Sequence, residues 1–200
     1  MFWPLIVTNC NYMDTLKLEA IYWGEFMSYT TIRHPEGMVY SYDNLLRQAM
    51  IAELVAINDY SEILAYSDIK ELNNILEHIL EEEKEHYGKL LNLLRKVDEE
   101  QYYMYRRVLN ENESKCLEPL RIDYGMEKKD GRFILDKLRE EIKGELEAIV
   151  LYEDQLRKIP DPEGRTIMYE IIMDEKEHVE ELTQALLRLD KHKYGPISRC

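Results

Sequence analysis

Cysteine is scarce in this sequence of 200 residues, and its placement excludes several kinds of site. The three cysteines are far apart, at Cys10, Cys116 and Cys200. Because no C-x-x-C pair occurs, a rubredoxin-type iron site or a zinc knuckle is excluded. An odd number of distant cysteines also argues against a disulfide framework and fits a reducing compartment.

Positive charge and long apolar runs are lacking as well. The chain has 26 Lys and Arg against 40 Asp and Glu, a net charge of −14. Nucleic acids and anionic membranes favour basic surfaces, so neither is an expected partner. The acidic excess is compatible with attracting cations, and equally with a surface kept soluble by glutamate. No run reaches the roughly 20 apolar residues of a membrane-spanning helix, and the apolar start is a poor signal peptide, so we expect a cytoplasmic protein.

Glycine and proline are also few, at 8 and 6, and the commonest residues favour helix. Apolar residues at helical spacing predict four helices, at 41–66, 69 to at least 97, 133–158 and 161–189. Whether the second continues through 101–110 stays open. Asp161 followed by Pro162 is typical of a helix start. The predicted organisation begins with an extension of unassigned role at 1–40. Hairpin one follows at 41–110, a linker at 111–131 and hairpin two at 132–190, and the bundle as a whole spans 41–192. A tail occupies 193–200.

An internal repeat is the strongest pattern in the chain. The sequence EEEKEH at 81–86 is echoed by DEKEH at 174–178. A shift of 92 residues aligns the two copies without a gap over the 46 positions that begin at Glu53. The aligned pairs include Glu53 with Glu145, Tyr60 with Tyr152, Glu83 with Glu175, and His86 with His178. Matching polar residues in one register predicts two copies of a helical hairpin.

Helix geometry predicts that these polar residues meet. Glu53 lies on the apolar face of its helix, and Glu83 and His86, three residues apart, point the same way from the next. From Glu53 to the turn at 67–68 is about 15 residues, or roughly 22 Å of helix, and from the turn to Glu83 is about the same. Two such hairpins would gather four glutamates and two histidines in one layer. Buried charges of this kind are costly unless they are compensated, and two cations would compensate them.

The stretches ELVAINDY with EEEKEH, and ELEAIVLY with DEKEH, resemble the ferritin-like superfamily, in particular rubrerythrins and encapsulated ferritins. The shared pattern is a Glu, a Tyr seven residues later, and a Glu-x-x-His that begins thirty residues after the first Glu. The resemblance covers about 41–106 and 132–190. It implies an all-α, ferritin-like four-helix bundle of two tandem hairpins that holds two Fe ions, with Mn as an alternative and Zn as a substitute.

The same resemblance implies roles for individual residues. The metal ligands would be Glu53, Glu83, His86, Glu145, Glu175 and His178. Glu83 and Glu175 would bridge the metals, and Glu53 and Glu145 would be terminal. Tyr60 and Tyr152 would be either core aromatics or hydrogen-bond donors to ligand carboxylates.

The sequence departs from the rubrerythrin pattern at one position. Rubrerythrins usually carry an extra carboxylate three residues after the third-helix Glu, where this chain has Ala148, matched by Ala56. We therefore expect a symmetric six-ligand site with similar environments for the two metals. Other acids and histidines are out of phase and are expected at the surface: Glu85, Glu147, His34, His78 and His192.

Two functions and one structural role remain as hypotheses. The first is a di-iron oxidoreductase that reacts with H2O2 or O2 and is re-reduced by an external electron donor. The alternative is a ferroxidase or iron-binding component that takes Fe(II) within a storage assembly or as encapsulated cargo. The third is a helical bundle without metal. A homo-oligomer is expected, and Tyr102, Tyr103 and Tyr105 are expected to pack on the bundle or at an oligomer contact.

Overall fold

The computed structural model describes residues 41–112, 131–191 and 194, without the side chains of 111 and 112. No strand occurs in this part of the chain, and its five helices are α1 (Tyr42–Tyr66), α2 (Lys70–Val97), α3 (Glu99–Asn112), α4 (Gly131–Leu156) and α5 (Pro162–Leu189). Some predictions fall outside it: the extension at 1–40, nearly all of the linker and tail, His34, His192 and the three cysteines.

Two antiparallel hairpins form the bundle. Hairpin one consists of α1 and α2, and hairpin two consists of α4 and α5. The hairpins meet through contacts of α1 with α4 and of α2 with α5. The prediction of an all-α ferritin-like bundle is confirmed. No helix among the described residues is long and apolar enough to cross a bilayer.

The predicted start of α5 is confirmed in detail. The side chain of Asp161 accepts a hydrogen bond of 2.7 Å from the backbone N–H of Gly164, and Pro162 is the first helical residue. Asp161 thereby satisfies one of the backbone donors that a helix start leaves unpaired. This cap fixes where hairpin two turns back on itself.

The sequence left open whether the second helix continues beyond Val97, and the structure shows a break there. Asp98 is not helical, so α2 ends at Val97 and α3 is a separate helix. The Asp98 side chain accepts a 2.9 Å hydrogen bond from the backbone N–H of Gln101, which makes it the cap of α3. Of the described helices, α3 contacts only α2.

The tyrosines of α3 are mostly not packed on the bundle. Tyr102 and Tyr103 are exposed, which leaves an oligomer contact as the predicted alternative for these two. Tyr105 does pack, because the Arg95 guanidinium lies 3.8 Å from its ring centroid. The alternative of an oligomer contact stays a prediction.

Two apolar clusters hold the hairpins together, one towards each end of the bundle. The first includes Leu46, Leu94 and Met168, and the second includes Leu76 and Leu182. Each fully buried side chain of this kind contributes roughly 1.5–3 kcal/mol. The clusters fix the four long helices on both sides of a layer of buried polar residues.

Candidate metal centre

Six acidic and histidine side chains meet in the layer between the apolar clusters. Each hairpin contributes one glutamate from its first helix and a Glu-x-x-His pair from its second. These side chains are at most 4% exposed: Glu53, Glu83, His86, Glu145, Glu175 and His178. The structure thus brings together all six residues that the sequence predicted as ligands.

The ligand atoms form two overlapping groups, and within each group they lie within 4.8 Å of one another. One group comprises Glu53, Glu83, His86 and Glu175, and the other comprises Glu83, Glu145, Glu175 and His178. Glu83 and Glu175 belong to both groups. Two positions that share two carboxylates are the arrangement typical of a dinuclear carboxylate site.

Both imidazoles turn their Nδ1 atoms into the cluster. His86 Nδ1 lies 3.3 Å from Glu175 Oε1 and 3.6 Å from Glu53 Oε2. His178 Nδ1 lies 3.2 Å from both Glu83 Oε1 and Glu175 Oε2. Nδ1 is therefore the atom that each histidine would offer to a metal ion.

The opposite nitrogen of each imidazole meets an acid from the other hairpin. His86 Nε2 lies 3.1 Å from Asp174 Oδ2, and His178 Nε2 lies 3.0 Å from Glu82 Oε2. An acid in this place fixes the ring orientation and increases the basicity of the ligating nitrogen. The sequence prediction missed both acids. The signal was available, because Glu82 and Asp174 align at the same shift of 92.

The two tyrosines also reach across the hairpin interface. Tyr152 donates a 2.6 Å hydrogen bond to Glu53 Oε1, and Tyr60 donates one to Glu145 Oε1. Both rings are fully buried. Burial and the adjacent carboxylate raise the pKa of each phenol well above its usual value, so both stay protonated donors. Each fixes one oxygen of its glutamate.

The four glutamates form two pairs whose pKa values are shifted in opposite directions. Burial, together with neighbouring carboxylates, raises the pKa of Glu53 and of Glu145 well above its usual value. Burial also acts to raise the pKa of Glu83 and of Glu175. There, the close imidazoles of His178 and His86 outweigh it and lower the pKa.

The histidines respond in the opposite sense to burial. Burial alone would lower the imidazole pKa, but the buried glutamates outweigh it. They raise the pKa of His178 to about 10, and they raise that of His86 as well. These shifts favour protons on Glu53, on Glu145 and on both imidazoles.

Several buried ligand atoms lack a hydrogen-bond partner. They are Glu53 Oε2, Glu83 Oε1, His86 Nδ1 and Glu175 Oε1. Although His86 Nδ1 is 3.3 Å from Glu175 Oε1, the pair does not meet hydrogen-bond geometry. Unpaired buried oxygen and nitrogen atoms that converge on two points are what metal ions would satisfy. The cluster is compatible with a di-metal site.

A cavity of about 490 Å³ lies over the cluster between α1 and α4, and we call it the α1–α4 groove. Its inner end is lined by the four cluster glutamates, and its walls are the small residues Ala52, Ala56, Gly144 and Ala148. It also contains Glu141, a buried carboxyl that the sequence prediction missed, although helical spacing places it one turn before Glu145. Burial, with the charge of Asp59, raises the pKa of Glu141 to about 8.

The prediction of surface positions is partly corrected. Glu85 and His78 are exposed, as predicted. Glu147 is not, because its side chain is only 18% exposed and lines the groove, where it pairs with Lys143 at 3.0 Å. Gly144 has no side chain and Ala148 has only a methyl group, which leaves room beside α4, so a residue out of phase with the predicted ligands still faces the groove.

Comparisons with known proteins agree with this architecture. The family model described as Rubrerythrin matches residues 44–187. A ferritin-like-encapsulin shell fusion protein from Pyrococcus furiosus is 44% identical over 57 residues, which are 28% of this chain and only 16% of that protein.

A hypothetical protein from Pyrococcus furiosus has a similar solved structure, with a TM-score of 0.57 and 20% identity. The similarity covers 76% of this chain and 94% of that one, and at this identity it supports the fold alone. The family model, by contrast, covers well over half of the chain, and the protein belongs to the Rubrerythrin family.

Proposed function

We propose that this chain binds two metal ions and uses them as a two-electron redox site. The ligands in the proposal are Glu53, Glu83, His86, Glu145, Glu175 and His178, with Glu83 and Glu175 bridging. The observation that carries it is the pair of overlapping ligand groups that share these two buried glutamates. A metal-free structural bundle would gain nothing from burying four carboxyls and two imidazoles in one layer.

Iron is the proposed metal. Four carboxylates and two imidazoles form a hard ligand set that suits Fe or Mn, and the imidazoles also allow Zn to substitute. When bound, a pair of iron ions supplies two electrons to H2O2 or O2. In this proposal an external electron donor re-reduces the site.

The surrounding residues hold the ligands and restrict access. Tyr60 and Tyr152 donate to the terminal carboxylates, while Glu82 and Asp174 hold the imidazoles with Nδ1 inward. The apolar clusters keep bulk water from both ends of the layer. The route that remains to the layer is the α1–α4 groove. Its walls are formed by small residues and its rim is charged, which favours small polar molecules and cations.

Anaerobic stopped-flow spectroscopy of the di-Fe(II) form tests the redox role. We expect oxidation by H2O2 to be faster than by equimolar O2, because two electrons delivered together reduce H2O2 to water. Glu83→Ala should abolish the signal, whereas Glu85→Ala, an exposed acid on the same helix, should retain it. An iron-loaded protein that reacts with neither oxidant would refute the proposed activity.

A second candidate is Fe(II) oxidation for storage within an assembly. The acidic side chains along the α1–α4 groove favour Fe(II) as a substrate that enters repeatedly. A relative is a ferritin-like-encapsulin shell fusion protein, which makes an enclosing shell or a homo-oligomer a reasonable partner to test. Faster reaction with O2 than with H2O2, together with continued turnover of excess Fe(II), would favour this candidate.

A further inference from the structure

One side of the α1–α4 groove carries acidic residues that are not among the six predicted ligands. Glu141 lines the groove, is only 6% exposed and lies one helical turn before Glu145. Asp59 faces the same cavity from α1 and is partly buried. Neither side chain forms a hydrogen bond or ion pair with a described residue. The oxygens of neither carboxyl are among the buried atoms that lack a partner, so both carboxyls meet the open space of the groove. A largely buried acid such as Glu141 in this position calls for an explanation.

No lysine among the described residues pairs directly with Glu141 or Asp59, although the charge of Lys137 acts on both. Lys137 binds Glu62 at 2.9 Å and Glu140 at 3.1 Å, and Lys143 pairs with Glu147. Both lysines are therefore engaged by other carboxylates. A cation that enters the groove would meet Glu141 and Asp59 as open oxygen donors, which suit hard divalent ions.

The acidic side is present at only one end of the groove. The position that corresponds to Glu141 in the other hairpin is Ala49, 92 residues earlier. Ala49 is fully buried, and its carbonyl lies 3.4 Å from the Tyr152 hydroxyl. The route past Glu141 thus leads towards the half of the cluster formed by Glu145 and His178.

We propose that Glu141 and Asp59 form an outer, transient cation site on the entry route, which delivers divalent metal first to the Glu145 and His178 half of the centre. This inference rests on the proposed metal-binding function. Two carboxylates make a weak site, and neither group of converging ligands found among the described residues includes Glu141. Weak binding is what a transit site requires, because a tight site would retain the ion. The two metal positions are then equivalent in ligands but not in access.

Anaerobic stopped-flow binding of Co(II) to the metal-free protein tests the proposal. Wild type should fill in two phases and reach two Co(II) per chain. Glu141→Gln should slow the first phase at least about tenfold, the low end of the effect of a charged entry route, and still reach two Co(II). The matched control is Glu170→Gln, which removes the same charge from an exposed position of α5 that does not line the groove and should change the rate little.

Two further variants strengthen the test. Gly144→Leu should slow both phases, since a side chain at Gly144 would extend into open groove space without a clash at Cβ. Glu145→Gln should remove the fast phase, and Glu53→Gln should remove the slow one. The opposite assignment would overturn the filling order.

The outcomes separate this inference from the function on which it rests. Equal rates for wild type and Glu141→Gln, or equal slowing by Glu170→Gln, would overturn the outer site. Loss of a Co(II) at equilibrium in Glu141→Gln would make Glu141 a permanent ligand and would overturn its transit role. Failure of wild type to bind two Co(II) would instead refute the proposed metal centre.

Discussion

Hairpin one and hairpin two surround the cluster with matching residues, yet they differ one helical turn away from it. Each supplies one Glu, one Glu-x-x-His and one Tyr, at positions 92 apart. Where hairpin two has the buried acid Glu141, hairpin one has Ala49. The same set of candidate ligand residues is thus joined to different surroundings in the two hairpins.

This difference separates two demands on the sequence. The inner layer must balance charge on both sides, so its polar contacts cross between hairpins in reciprocal pairs: Tyr60 with Glu145, Tyr152 with Glu53, His86 with Asp174, and His178 with Glu82. The groove has no such constraint. It can therefore be acidic on one side only.

Removing a shared ligand should have the largest effect, because it takes one carboxylate from both proposed metal positions. In Glu83→Ala we expect loss of both metals, with apparent affinity falling by more than the roughly 10–100-fold typical of outer-shell partners. Metal analysis after gel filtration measures the stoichiometry, and circular dichroism checks the fold. Two tightly bound metals in this variant would contradict the shared role of Glu83.

Removing a terminal ligand should break one half and leave the other. Glu53→Gln and Glu145→Gln should each bind one metal tightly instead of two, because each carboxylate belongs to a single ligand group. Isothermal titration with Mn(II) gives the stoichiometry. If either variant loses both metals, the two halves are not separable as described.

The protons of the metal-free centre predict how stability changes with pH. Because the pKa values of Glu53, Glu145, His86 and His178 are raised, the folded state binds more protons than the unfolded chain at neutral pH. The contribution of His178 is fully present below its ordinary value of 6.5 and is lost as the pH rises through about 10.

The free energy of unfolding of the metal-free protein should therefore fall by a few kcal/mol, as an order of magnitude, between about pH 6 and about pH 9. Metal should displace these protons, stabilise the fold and flatten this dependence. Denaturant titrations with and without Mn(II) measure both curves. A metal-free protein that becomes more stable as the pH rises over this range would contradict the proton assignment.

Removing the residues that support the ligands should have the smallest effect, and a similar one in both hairpins. Asp174→Asn and Glu82→Gln should each lower metal affinity by about 10–100-fold without loss of stoichiometry, because each leaves an imidazole less firmly held. Competition with a metal indicator measures the two values. A large difference between the metal affinities of the two variants would show that the two histidines do not contribute equally, although their contacts are alike.

The fold and the inner layer could be predicted because both depend on spacing along helices. The apolar periodicity predicted the bundle. The repeat at a shift of 92 predicted that the six candidate ligands lie at one level. The break at Asp98 was not predicted, since it depends on a capping bond to Gln101. Glu147 was misplaced, because its burial depends on small residues that leave a gap along α4. Glu82, Asp174 and Glu141 follow helical or repeat spacing, but their role depends on what faces them from the other hairpin.

Anomalous diffraction from crystals loaded with Mn(II) or Fe(II) tests the central claim most directly. We predict two peaks between the apolar clusters, one within bonding distance of His86 Nδ1 and one of His178 Nδ1, both bridged by Glu83 and Glu175. A single peak, ligation through Nε2, or metal bound only outside this layer would contradict the account.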